Sequence, residues 1–325
     1  MFPYVVADIG GTNARFALVT GKEGSLYTLE HLHILKGKDY PTLEDAISTY
    51  LAMLDNVQPT AMCAAIAGPV LGDRVQMTNL SWGFSCSEVA AKFGLSAFVA
   101  MNDFAAVAAG IPLMGRDHLV TLKEGTPQLN CNKAVFGPGT GLGVAGAIRH
   151  KSLWLPNPCE GGHINIAPSS AFEADIIKAA IAHHGHVSAE TFISGPGLVN
   201  LYKAICEVEG NTAAHYEPAD VTTKALDGSD PACVTTLNTF CSLLGSFAGN
   251  LALTYGATGG IYLAGGILPR FQDFVIKSDF AAKFAHKGPM SRYVENIPAY
   301  LVTHKELAFN GAAAWLEQSL ANPAS

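Results

Sequence analysis

Charge is scarce in this chain. Asp, Glu, Lys and Arg supply only 14% of its 325 residues, where ~25% is ordinary. Lys and Arg never gather into a run, and the net charge is -7. A phosphate backbone demands a concentrated basic face, so no nucleic-acid partner is expected. Nor is a basic helix-turn-helix extension expected. Also missing is any unbroken apolar run near the ~18 residues that cross a bilayer. The opening "MFPYVVADIGG" has neither the basic stretch nor the small-residue cleavage site of a secretory leader. A cytoplasmic protein with no membrane partner is expected. Paired cysteines are absent as well. The seven cysteines (Cys63, Cys86, Cys131, Cys159, Cys206, Cys233, Cys241) are odd in number and never spaced C-x-x-C. They read as free thiols in a reducing compartment, and argue against a disulfide framework or a zinc ribbon.

What is abundant is apolar surface, 49% of the residues, on a chain long enough for two domains. Strand signals recur in "YVVADIG", "NARFALVT", "TAMCAAIAGPV", "AFVAMND", "KAVFGPG", "LGVAGAI" and "GIYLAGG". Helical patterns separate them, as in "TLEDAISTYLAML" with Leu43, Ile47, Tyr50, Leu51 and Leu54 at helical spacing. The class is α/β. A final helix at about 310–320 puts Ala312, Trp315, Leu316 and Leu320 on one face and needs a surface to cover it. The stretch "GIPLMGRDHL", 110–119, reads as a passage between domains.

One echo stands out. "VVADIGGTNARFALV" and "AVFGPGTGLGVAGAI" share an apolar run, a glycine-rich bend containing Thr, and a second apolar run. A third glycine pair, in "GIYLAGGILPRF", follows a strand and opens a helix, with Pro269 near its first turn. Each bend alone is compatible with an ordinary hairpin whose glycines supply positive φ. Three together suit a polyphosphate, because glycine lets backbone N–H groups approach phosphate oxygens with no Cβ in the way. Thr12 and Thr140 add hydroxyl donors, and Asp8 at a strand end offers a hard oxygen to Mg2+, directly or through water. No G-x-x-x-x-G-K-[ST] loop occurs, and "GPGTGLG" leads into a strand rather than a helix, so neither a Walker A loop nor a dinucleotide fingerprint is present.

Asp8-x-Gly10-Gly11-Thr12-x-x-Arg15, Gly137-x-Gly139-Thr140-Gly141 and Leu263-Ala264-Gly265-Gly266 resemble the three nucleotide motifs of the hexokinase–actin–Hsp70 superfamily. With "MNDF" at 101–104, "EGGH" at 160–163, "HVSAE" at 186–190 and "ISGPGLVNLY" at 193–202, the set resembles the bacterial glucokinase family from residue 4 to about 320. The resemblance implies a two-domain actin-like ATPase (ribonuclease H-like) fold with mixed sheets and a cleft between domains. Residues 1–112 plus 303–325 would form the small domain and 113–302 the large one. It implies ATP-dependent phosphorylation of glucose at O6, the opening step of glycolysis, with Mg2+, in a homodimer formed through the larger domain. Asp8, Gly10, Gly11, Thr12, Asn13, Gly139, Thr140, Gly265 and Gly266 would hold the nucleotide. Asp103 would be the base on the sugar 6-hydroxyl and Asn102 would bond a neighbouring hydroxyl. Gly141, Glu160, His163 and Glu190 would complete the sugar site. The related repressor/kinase family carries a cysteine-rich zinc motif after its Gly-Gly-His; here Cys159 stands alone before "EGGH", so no zinc site is expected.

Plainer roles exist for the same residues. Asp103 stands where an N-cap would stand, Glu190 is placed like a capping or solvated acid, and His163 could be a core histidine. Arg15 suits either the phosphates or a salt bridge. "ISGPGLVNLY" reads as a turn and helix start without chemistry of its own. At the level of function, the alternatives are a kinase for mannose or an N-acetylated amino sugar, a sugar-sensing regulator without turnover, and a nucleotide-driven scaffold.

Overall fold

Short apolar runs bounded by glycine become the central strands. The computed structural model describes residues 2–55 and 57–322. Its first elements are β1 (Tyr4–Ile9), β2 (Asn13–Glu23), β3 (Leu26–Lys36), α1 (Leu43–Ala52), β4 (Met62–Ile66), β5 (Arg74–Gln76), β6 (Gly83–Ser85), α2 (Cys86–Phe93), β7 (Phe98–Asn102) and α3 (Asp103–Gly110). There follow β8 (Leu119–Lys123), β9 (Lys133–Pro138), β10 (Leu142–His150) and β11 (Leu153–Cys159). The helices α4 (Ala171–His184), α5 (Ala189–Phe192), α6 (Gly195–Val208), α7 (Pro218–Leu226) and α8 (Pro231–Thr254) come next. The chain ends with β12 (Ile261–Leu263), α9 (Gln272–Lys277), α10 (Phe280–Ala285), α11 (Ser291–Val294), β13 (Ala299–Val302) and α12 (Leu307–Ala321).

The chain groups into two compact units. One runs to Asp117 and takes in His150–Pro158 and the residues from His304 onward; the other comprises His118–Arg149 and Cys159–Thr303. The first sheet has the order β3-β2-β1-β4-β7 and the second β11-β10-β9-β12-β13-β8. Matched strand for strand, β1 with β9, β2 with β10, β4 with β12 and β7 with β13, the two sheets follow one plan used twice. In both, a hairpin precedes a run of parallel strands: β1 pairs antiparallel with β2 and parallel with β4, and β9 pairs antiparallel with β10 and parallel with β12. The echo seen in the sequence is the leading hairpin of each copy. Parallel strands are covered on both faces and so read as unbroken apolar runs; every residue of β4 is buried.

The second unit is organised around α8. Its 24 residues are long and apolar enough, by length and composition, to cross a membrane, with a mean hydropathy of 1.2 over the best window. This differs from the expectation that no segment could do so. Thr, Ser, Asn and Gly interrupt the apolar residues and hid the length of the helix. Of that window 72% is buried inside the protein, where Leu237, Phe240, Leu244 and Phe247 enter the main core.

In the first unit, α12 supplies the covering surface its sequence called for. Phe309, Ala312, Ala313 and Leu316 pack with Tyr4, Val6, Met101, Ala105 and Ala106. The acid Glu317 accepts hydrogen bonds from Tyr27 at 2.6 Å and Tyr4 at 3.2 Å. α12 crosses α3 glycine on glycine. A Cβ on Gly110 would lie 2.6 Å from the Leu307 carbonyl oxygen, and one on Gly311 would overlap the Ala106 carbonyl and lie 2.6 Å from Gly110 N. The opposing atoms are backbone, so no side chain can swing away. Gly311→Ala is therefore expected to destabilise the fold by about 1–3 kcal/mol or more. Calorimetry checks this, and an unchanged melting temperature would contradict the tight crossing.

Candidate active site

In the first unit the expected residues gather at the carboxyl ends of parallel strands, where α/β sheets bind ligands. Ile9 of β1 pairs with Ile66 of β4, and Ile66 with Asn102 of β7, so the three strands finish level. The β1–β2 turn closes with Gly10 N donating to Asn13 O at 3.0 Å. Gly11 faces Asn79, whose Cβ would stand 2.8 Å from a Cβ at position 11. Thr12 and Asn13 are exposed at the tip.

Asp8 sits directly across the hairpin from Arg15, and Arg15 Nη1 lies 3.2 Å from Asp8 Oδ2. The guanidinium also covers the Phe309 ring at 4.9 Å. Of the two roles open to Arg15, the structure shows the salt bridge. Burial pushes the Asp8 carboxyl above its usual range, and Arg15 pulls in the opposite direction without overcoming it.

The Asn102-Asp103 pair divides its work. Asn102, with extended backbone, is the N-cap of α3: its Oδ1 accepts from Ala105 N at 3.0 Å. Its Nδ2 donates to Gly68 O at 3.2 Å. Asp103 is the first helical residue, and its Oδ1 accepts from Phe104 N at 2.8 Å. The cap reading therefore passes to Asn102, and Asp103 is a half-buried carboxylate at a helix start, where negative charge is favoured.

In the second unit the β9–β10 turn is closed by Gly139 N donating to Gly141 O at 2.8 Å. Gly265 has φ of +105°, and a Cβ on it would come within 2.9 Å of Pro138 O; glycine is required on both counts. The third bend thus lies against the end of β9. So does the start of α6, for Gly195 N donates to Gly139 O at 2.8 Å. Ser194 caps that helix by accepting from Gly197 N at 2.9 Å. The "ISGPG" stretch is accordingly a turn and helix start, as expected, but one joined to the tip of the second glycine bend. Backbone pairing revealed the connection, and no side-chain pattern signals it.

Leu142, the first residue of β10, joins the remaining candidates. Glu190 Oε2 accepts from Leu142 N at 2.7 Å. A Cβ on Gly141 would lie 2.6 Å from that same oxygen. On the other side, a Cβ on Gly162 would overlap the Leu142 carbonyl, and one on Gly161 would lie 3.0 Å from Val144 Cγ1. Only a Gly-Gly pair allows the chain to lie flat on β10. Glu160 and His163, both exposed, flank that pair. Ala189 N donates to Ile164 O at 2.8 Å, linking the loop to α5. Gly141, Glu190 and the backbone of the loop that carries Glu160 and His163 thus meet at Leu142, in the second unit. The other candidates of this unit, Gly139, Thr140, Gly265 and Gly266, lie on the adjoining bends.

The donor set can be tested against the groups it would receive. Around Gly139 and Gly266 no protein atom lies within 4 Å of where a Cβ would be. This is open space beside the backbone, roomy enough for phosphate oxygens. Among the described residues no three His, Cys, Asp or Glu side chains come together as a metal cage. A single carboxylate such as Asp8 fits Mg2+ that keeps waters and phosphate oxygens as its other ligands.

The glucokinase family model matches residues 5–319. A glucokinase of Saccharophagus degradans is 56% identical over 318 residues, spanning 98% of this chain and 99% of that relative. The crystal structure of a glucokinase from an Antarctic psychrotroph superposes with a TM-score of 0.92 at 42% identity, covering 98% of this chain and 100% of that one. A ROK family glucokinase from Streptomyces griseus, solved with glucose and AMPPNP, shares the fold at a TM-score of 0.62 and 20% identity, covering 98% and 100% of the two chains. With the match running through every motif described above, the chain belongs to the glucokinase family.

Proposed function

We propose that this enzyme transfers the terminal phosphoryl group of ATP to O6 of glucose, giving glucose 6-phosphate and ADP. The observation that carries the reading beyond family membership is that Glu190 bonds Leu142 N while Gly162, between Glu160 and His163, packs on Leu142 O, beside a glycine bend. That arrangement offers carboxylates and an imidazole to vicinal hydroxyls within reach of a phosphate-binding loop. The complex of the Streptomyces griseus relative with glucose and AMPPNP supports the same pairing of ligands.

Phosphoryl transfer asks little covalent chemistry of a protein. It requires alignment of the attacking hydroxyl and neutralisation of the charge on the transferred group. In this reading Asp103 accepts the proton of the sugar 6-hydroxyl as the O–P bond forms. Phe104 N–H, on Oδ1, fixes the plane of the carboxylate. Glu190 uses Oε2 on Leu142 N and presents Oε1 to the sugar, while Glu160 and His163 take hydroxyls at its anomeric end. Asn102 is engaged as a cap through Oδ1, so its contribution to the sugar is the second hydrogen of Nδ2. The glycine bends at Gly10-Gly11, Gly139 and Gly265-Gly266 let phosphate oxygens approach the backbone, and the N–H groups not used in closing the turns, with Thr12, Asn13 and Thr140, bind them. Mg2+, held by Asp8 through water, would neutralise charge on the nucleotide phosphates. In this reading Asp103 and Asp8 belong to the first unit and Glu160, His163 and Glu190 to the second. A cytoplasmic homodimer, assembled through the larger domain, belongs to the same reading.

Three measurements test it. Asp103→Asn keeps an oxygen for Phe104 N and leaves the Asn102 cap intact, so melting is expected near the parent value while turnover falls ~10²–10⁴-fold; more than half the parent turnover would remove Asp103 from the mechanism. Glu160→Gln and His163→Ala are expected chiefly to raise the glucose KM, and an unchanged KM in both would withdraw their assignment. ADP release assayed with glucose, mannose, fructose, N-acetylglucosamine and no sugar is expected to be fastest with glucose. A faster rate with another hexose would reassign the acceptor, and sugar-independent hydrolysis would point to a nucleotide-driven scaffold.

A further inference from the structure

Glu160 makes no side-chain hydrogen bond with the described residues. Its direction is therefore set by its backbone, and the neighbouring contacts show what holds that backbone. On the C-terminal side are Gly161 and Gly162, pressed on β10. On the N-terminal side is Cys159, and its thiol is engaged twice: Tyr255 OH donates to Sγ at 2.8 Å, and Sγ donates to Val144 O at 3.5 Å. A Cβ on Gly161 would lie 3.1 Å from Sγ, so thiol, loop and strand are in contact.

Tyr255 is itself fastened. It is the C-cap of α8, and its carbonyl accepts from Asn132 Nδ2 at 3.0 Å. Asn132 Oδ1 in turn accepts from Arg149 N at 3.0 Å, which ties the end of α8 to the base of the β9–β10 hairpin. The ring then lies across β10 over Gly146, where a Cβ would stand 2.7 Å from Tyr255 Cε1. A side chain at 146 would lift the ring and carry the hydroxyl off the sulfur. Burial, with the Cys159 contact adding to it, pushes the phenol well above its ordinary range, so the hydroxyl stays protonated and remains a donor.

We propose that Tyr255 is a positioning residue for sugar binding, acting through Cys159 to hold Glu160 in the direction that a glucose hydroxyl requires. This rests on the reading of Glu160 as a glucose ligand. The chain of contacts runs from a rigid core helix through a phenol and a thiol to the loop, and ends one residue before the acid.

The test is steady-state kinetics on the full-length enzyme. Tyr255→Phe keeps the ring over Gly146 and removes only the donor. It is expected to raise the glucose KM roughly threefold to tenfold, the worth of one hydrogen bond, with kcat and the ATP KM within about twofold. Cys159→Ala should reproduce that shift. The double variant should be no worse than either single one, because both remove the same link. Cys159→Ser, which keeps a donor and acceptor, should recover part of the affinity. An unchanged glucose KM in Tyr255→Phe, additive losses in the double variant, or losses confined to stability and kcat would each overturn the proposal. Glu160→Gln separates the two levels. If it too leaves the glucose KM unchanged, the assignment of Glu160 has failed; if it raises KM while Tyr255→Phe does not, the positioning role alone has failed.

Discussion

The arrangement of Glu190 and the 160–163 loop depends on one residue, Leu142. Its N–H is taken by a carboxylate from α5 and its carbonyl is covered by a glycine from the 160–163 loop. Neither partner is stable locally: α5 is four residues long, and an isolated single turn has no cooperative support. The charge-assisted bond to Leu142 N anchors it. Ser194 Oγ, donating to Glu190 O at 2.9 Å, and Asn200 Nδ2, donating to Thr191 O at 3.1 Å, brace it from α6. Glu160, His163 and Glu190 are thus carried by short, irregular segments whose order is borrowed from a strand beginning at a glycine-rich bend. Both segments therefore take their order from the β9–β10 hairpin, the same one that carries the glycine bend.

The first unit solves a different problem with the same sheet plan. Its leading hairpin carries an acid that burial would neutralise, and a cross-strand arginine opposes that tendency. The arginine is in turn seated on an aromatic ring of α12. The corresponding hairpin of the second unit has glycines where the first has Asp8 and Arg15, since Asp8 and Arg15 match the strand positions of Gly137 and Gly143 in register. One copy of the plan carries a cross-strand ion pair, and the other allows close backbone approach.

Much of this was legible beforehand because it is local. Glycine pairs with a threonine between apolar runs define the bends whatever surrounds them. The 160–163 loop and Glu190 were reached through family resemblance, because their chemistry arises only when chain segments 48 residues apart meet, as Glu190 and Leu142 do. Two adjacent residues that can both cap a helix, Asn102 and Asp103, cannot be ranked by pattern; the extended backbone at Asn102 decided it. Arg15 became a salt bridge only once strand register put it opposite Asp8. α8 escaped notice because it is buried around much of its circumference and shows no amphipathic stripe. The partnership of Tyr255 with Cys159 spans 96 residues and has no signature at either end.

The glycine crossing of α3 and α12 also bears on how the chain is made. The core that contains Tyr4, Val6 and Cys63 is completed by Phe309 and Leu316, residues made long after them. The second unit ends at Thr303 and holds all its residues before α12 emerges. Domains generally fold in order from the N-terminus during synthesis. Here the half that contains Tyr4 and Val6 keeps an apolar face uncovered until α12 has been made.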